Sequence, residues 1–205
     1  MLRVYSTPFS TNVERVALAL AHKGLEAEWI QVPYDDRREV EAVSGQTLVP
    51  VLVDGDLVIP DSVAIIEHLE ARHPKPPLYP SDPARRAETI VFVDWFNRVW
   101  KRPPNELATA IEEGRADEAF VAKLGGQIAA SLPLFEALLE RRSFLLGESL
   151  GVADLVCFPF LKYATVWDEG DEHLFHELLR DHQRLDGRYP RLEDWIARLN
   201  ALPRA

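Results

Sequence analysis

VPVLVDGDLVIPDSVAIIEHLE, residues 49–70, is the stretch on which the fold turns. Residues 49–53 and 56–59 are short apolar runs on either side of Asp54-Gly55. Asp-Gly supplies the positive φ values of a type I′ turn, so the spacing predicts a β-hairpin. Pro50 can open its strand, because a first residue needs no ladder donor. From Asp61 the period changes. Val63, Ile65, Ile66 and Leu69 recur at helical spacing, with Asp61 as the natural N-cap of a helix over 61–73.

Upstream, "LRVYS" (2–6) predicts a strand. Residues 11–23 predict a helix with Val13, Val16, Ala17 and Leu20 inward, ended by Gly24. "AEWIQV" (27–32) predicts a second strand, and 37–44 is undecided. The order β-α-β then β-β-α implies a small mixed sheet covered by helices. Downstream, the proline-dense "PKPPLYPSDP" (74–83) can neither continue a helix nor join a sheet. It separates an α/β domain at 1–76 from an all-α domain at 84–205, with 77–83 as linker. In the second domain helices are expected over 84–113, 117–141, 152–167, 171–184 and 191–201. "IVFVDWFNRVW" (90–100) is apolar almost all round and therefore buries more than one face.

Composition narrows the classes of function. The 205 residues carry a formal charge of −10. Up to Pro80 there are seven Lys/Arg against twelve Asp/Glu, and beyond it sixteen against twenty-one. The acidity is even and no basic arm exists, which argues against a nucleic-acid partner. A single cysteine, Cys157, allows no internal disulfide. It lies among Leu155, Val156 and Phe158, as an inert core thiol would. No basic start or long apolar run marks a signal peptide or membrane span, so a cytoplasmic location is expected.

Three places carry groups that could act on a ligand. In "YSTPFSTNVERV" (5–16), Thr11 and Glu14 fit a capping box. Ser10 would then precede the first turn, where a hydroxyl and free N–H groups can meet an anion. The competing local reading makes Ser10 itself the cap. Val49-Pro50 leaves backbone groups free before its strand. Asp61-Ser62 offers a second helix start to a carboxylate. His173, His176 and Glu177 fall close together on a helix, but without a metal-ligand spacing they read as a solvated face, and no metal is expected.

Taken in order, "YSTPFSTNVERVALALAHKGL", "VPVLVDGDLVIPDSVAIIEHLE", "FLLGESLGVADLVCFPFL" (144–161) and "YPRLEDWIARLNALP" (189–203) resemble the cytosolic glutathione transferases over essentially the whole chain. The resemblance implies a thioredoxin-like N-terminal domain, an all-helical C-terminal domain and a homodimer. It implies glutathione as co-substrate and a small hydrophobic electrophile as its target. Counted back from "RVALAL", Ser10 takes the position that is cysteine in the bacterial beta class, and it becomes the expected catalytic residue. Ser6, Thr7 and Asn12 stand in reserve. Val49 and Pro50, with a cis bond, would pair the cysteinyl part of glutathione, and Asp61 and Ser62 its γ-glutamyl end. Phe9 lies beside Ser10. Leu48 stands where many relatives have Lys or Gln, and Gln46 is the substitute. Trp95, Trp100, Tyr163 and Trp167, with Phe9, are the expected walls of the electrophile pocket. The long buried helix opens with Gly151-Val152-Ala153-Asp154 where the family usually has Ser/Thr-x-x-Asp.

The activity implied is glutathione conjugation, a transferase role in detoxification. The alternatives are a non-catalytic binding protein of the same fold, and a specialised glutathione-dependent isomerase, dehalogenase or lyase. Scaffold alone does not separate them.

Overall fold

The computed structural model describes residues 1–205. The chain divides into two units, Met1–Tyr79 with Leu202–Ala205, and Pro80–Ala201. The last four residues thus pack with the first unit rather than with the helices that precede them.

The first unit is a four-stranded sheet in the order β2-β1-β3-β4. Strand β1 (Leu2–Ser6) runs parallel to β2 (Ala27–Gln31) and antiparallel to β3 (Val51–Asp54), which pairs antiparallel with β4 (Leu57–Ile59). Helix α1 (Thr11–Lys23) makes the crossover from β1 to β2, and Gly24 ends it in the left-handed conformation. The undecided stretch is a helix, α2 (Arg38–Ser44). Its Val40 packs with Tyr5, Val51 and Val53 on one face of the sheet. Val4 and Leu52 are register partners and alternate to the opposite face. Helix α3 (Ser62–Arg72) packs beside α1.

The hairpin differs from expectation by one residue. Asp54 pairs with Leu57, so Gly55 and Asp56 form the loop. Gly55 alone has positive φ, at +62°. That pattern belongs to a type II′ turn, where glycine takes the first central place.

The second unit is entirely helical: α4 (Pro83–Trp95), α5 (Arg102–Glu112), α6 (Glu118–Ala129), α7 (Leu132–Leu138), α8 (Val152–Leu161), α9 (Leu174–His182) and α10 (Pro190–Asn200). The continuous helix expected over 84–113 is interrupted by a π-helical turn at Phe96–Trp100. Pro103 and Pro104 have no N–H to return to the carbonyls of Val99 and Trp100, so the regular ladder cannot run through. Phe96, Trp100, Phe135 and Phe160 pack edge-on and stacked around this turn.

Helix α8 is buried at every residue. Gly151 cannot cap it with a side chain, and Asp154 does the work instead. Its Oδ2 accepts from Gly151 N at 3.0 Å, and its Oδ1 from Leu145 N and Trp195 Nε1, both at 2.9 Å. One carboxylate thereby ties the loop before α8, the start of α8 and α10 together. Burial pushes its pKa up to about 6 against the pull of these donors.

Candidate functional site

Strand direction gathers the site. β1 ends at Ser6, paired across from the start of β3, since Tyr5 faces Val51. β4 ends at Ile59, which faces Leu52. The loop after β1, the segment before β3 and the segment after β4 therefore lie at one end of the sheet. Ser10, Val49-Pro50 and Asp61-Ser62 occupy those three segments.

Ser10 is the N-cap of α1, and Thr11 is its first, buried residue. The capping box expected from Thr11 and Glu14 does not form. Glu14 instead accepts from Arg204 Nη2 at 2.7 Å and Nε at 3.2 Å. With Ser10 as the cap, Glu14 lies one place beyond the position a capping box uses. Ser10 Oγ accepts from Val13 N at 3.4 Å. A hydroxyl that accepts still holds one proton to donate, so capping and ligand contact are compatible. Phe9, half-buried, precedes it with φ at +58°. This is an uncommon conformation for a bulky residue, of the kind that clusters at working sites.

Of the reserves, Ser6 accepts from Gln31 Nε2 at 2.9 Å and belongs to the sheet. Thr7 is buried and its Oγ1 has no hydrogen-bond partner.

The Val49–Pro50 bond is cis, as the resemblance implied. The ladder begins only at Val51, which leaves Val49 outside it. Gln46 is committed elsewhere. Its Nε2 donates to Leu48 O at 2.7 Å and its Oε1 accepts from Leu48 N at 2.8 Å. It braces the loop before β3, and Leu48 projects from that loop into solvent.

Asp61 caps α3. Its Oδ1 accepts from Val63 N and Ala64 N, both at 2.9 Å. Ser62, the first helical residue, is only 4% exposed. Its Oγ accepts from Arg15 Nη1 at 3.2 Å. Arg15 is 1% exposed. Sequence reading missed it, since an arginine within an amphipathic helix is ordinarily solvated. The only hint was its place one residue before the inward Val16.

The four aromatics expected as pocket walls divide. Trp100 is enclosed by Phe96, Phe135 and Phe160 and donates to Ser131 Oγ at 2.8 Å. Tyr163 is enclosed as well. Its hydroxyl donates to Asp171 Oδ2 at 2.9 Å and lies 3.0 Å from His176 Nδ1. Both belong to the core of the helical unit. Trp95 is half-buried against Phe92, and Trp167 is exposed beneath Arg180.

His176 corrects the expectation of a solvated face. It is buried, stacked on Tyr163 with ring centroids 4.4 Å apart, and its Nδ1 lies 2.7 Å from Asp171 Oδ2. Desolvation lowers its pKa, opposed by Asp171. Cys157 is buried in α8.

Residues 4–77 match the model of the glutathione S-transferase N-terminal domain, and residues 108–198 that of the glutathione S-transferase C-terminal domain. The chain is 42% identical over 168 residues to glutathione S-transferase Z1 of Arabidopsis thaliana, covering 77% of this chain and 75% of that one. It is 30% identical to FtsZ-localized protein A of Caulobacter vibrioides, covering 75% and 73%. Among solved structures, a glutathione S-transferase from Rhodospirillum rubrum superposes with a TM-score of 0.75 at 28% identity, over 98% of this chain and 88% of that one.

Proposed function

The chain belongs to the glutathione S-transferase family, and on that premise we propose that it ionises the thiol of glutathione at Ser10 and transfers the sulfur to small hydrophobic electrophiles. The observation that carries this reading is the arrangement at one end of the sheet. Three segments meet that end: the start of α1 with the Ser10 hydroxyl, the residues before β3 with the unladdered Val49, and the start of α3 with the buried Ser62.

Serine is too weak an acid and base to take the thiol proton near neutral pH. Its role is to donate a hydrogen bond to the thiolate, while the proton leaves to solvent. Lowering a thiol pKa from about 8.5 to about 6.5 requires roughly 2.7 kcal/mol. A hydrogen bond to a charged group contributes about 1.5–3 kcal/mol, and a helix start adds about 0.3–1 kcal/mol. One hydroxyl and one helix terminus suffice. The thiolate then attacks an electrophilic carbon. With an activated aryl chloride a C–S bond forms and chloride departs with the C–Cl electron pair.

The other roles follow from chemistry. The Val49 backbone is free to pair with the cysteinyl amide. Ser62 donates to the γ-glutamyl carboxylate, and the Asp61 oxygen not used in the cap receives the γ-glutamyl amine. Of the four aromatics of the helical unit expected as pocket walls, Trp95 and Trp167 are the two that keep accessible surface. The exposed Ile90, Val91 and Val99 support a homodimer.

Turnover with glutathione and an activated aryl chloride tests the proposal. Ser10→Ala is expected to lower kcat/KM about 100-fold, the loss of one charge-assisted hydrogen bond. An unchanged rate removes Ser10 from the mechanism.

The similarity to FtsZ-localized protein A supports a second reading, a partner-binding protein that keeps the site without turnover. Calorimetry distinguishes the two: the first requires glutathione binding, and absence of heat at millimolar glutathione favours the second.

A further inference from the structure

We propose that Arg15 is a positioning residue of this site, acting through Ser62 rather than on the ligand. The inference rests on the reading of Ser62 as the donor to the γ-glutamyl carboxylate.

Arg15 projects from α1 toward the start of α3, so its bond to Ser62 joins the two helices whose N-termini form the site. A guanidinium has donors and no acceptor. In this pair the serine oxygen must therefore accept, and the hydroxyl hydrogen is turned away from Arg15. Asp61 already takes the N–H groups of Val63 and Ala64. The hydroxyl and N–H of Ser62 are the donors of that first turn which the cap does not use. Accepting from a cation polarises the Ser62 O–H and strengthens it as a donor.

A second consequence is electrostatic. Arg15 is 1% exposed, so its charge is poorly screened by solvent. It adds to the positive end of α3 at the place a carboxylate would occupy. Burial of a permanent cation is costly, and an apolar side chain would fill the seam between α1 and α3 more cheaply. The arrangement makes sense if the cation fixes Ser62 for an anionic ligand end.

The test is a double-mutant cycle read by calorimetry on the full chain. The variants are Arg15→Met, Ser62→Ala, their combination and Arg15→Lys. The ligands are glutathione and its analogue lacking the γ-glutamyl α-carboxylate. Arg15→Met and Ser62→Ala are each expected to weaken glutathione about tenfold, the scale of one hydrogen bond to a charged group. The double variant should lose no more than the weaker-binding single one, because both remove the same contact. Affinity for the analogue should stay within about twofold throughout, since its missing group is the one Ser62 holds. In turnover the loss should appear in KM rather than at saturating thiol. Equal weakening of both ligands by Arg15→Met, or losses that multiply in the double variant, overturns the role of Arg15 and leaves Ser62 in place. Unchanged glutathione affinity in Ser62→Ala overturns the carboxylate subsite and this inference with it. If Arg15→Met does not fold, Arg15→Lys carries the cycle. It keeps the charge but not the fork, so a loss of about threefold is expected, absent in the Ser62→Ala background. A loss that persists in that background overturns the proposal.

Discussion

Single side chains show how far local pattern reaches. Ser10, Thr11 and Glu14 were legible as a helix start, but not in their roles. The expected box fails because Ser10, not Thr11, is the cap, and Glu14 pairs instead with Arg204, a partner 190 positions away that no windowed reading joins. Ser62 was legible as a helix-start residue, whereas Arg15 was not, because its value lies in a contact between helices. His176 was misread for a related reason. Helical spacing placed it near His173 and Glu177, while Tyr163 and Asp171 enclose it from outside its own helix. A titration consequence follows. Burial lowers the pKa of His176 in the folded chain below its ordinary value of 6.5. Folding thus excludes a proton that the unfolded chain binds. The stability this difference contributes is full above pH 6.5 and is lost as pH falls from 6.5 through the folded pKa. Thermal melts of wild type and His176→Gln at pH 7.5 and 5.5 check it: the drop in Tm on acidification should be smaller in the variant. An equal drop would place the acid sensitivity elsewhere.

Among elements, those with strong periods were legible almost to the residue. β1 and α1 run over the expected residues, with Gly24 as terminator. Errors fell where a backbone detail decides. The hairpin loop moved to Gly55-Asp56, and paired prolines broke the long helix at a π turn. The proline-dense segment is non-helical up to Asp82, while its last proline, Pro83, opens α4; its anchoring was invisible. Lys23 of α1 and Glu70 of α3 form a buried ion pair. Lys23 Nζ also donates to Pro76 O at 2.6 Å, and Glu70 Oε2 accepts from Leu78 N at 3.1 Å. The pair fastens residues 76–78 to the first unit. Removing one partner strands the other charge in the interior. Lys23→Met should therefore cost about 3–5 kcal/mol, measured by urea unfolding. A cost below about 1 kcal/mol would show a pair of merely surface strength.

For the whole molecule, fold and family were legible because a long ordered set of signals agreed, each weak alone. The α/β unit and the helical unit follow from periodicity, and the resemblance named the family. Function was less legible, since the scaffold is shared by proteins with different tasks. The excess apolar face of residues 90–100 is visible as exposed Ile90, Val91 and Val99, with Val91 at 68% exposure. A homodimer would cover it, and sedimentation should then return twice 23.3 kDa. The claim on which the rest depends is that this molecule binds glutathione and holds its sulfur as thiolate at Ser10. Titrating the ultraviolet absorbance of the thiolate in the glutathione complex measures that directly. The expected midpoint lies near pH 6.5 in wild type and returns toward about 8.5 in Ser10→Ala. A midpoint near 8.5 in both proteins would contradict it.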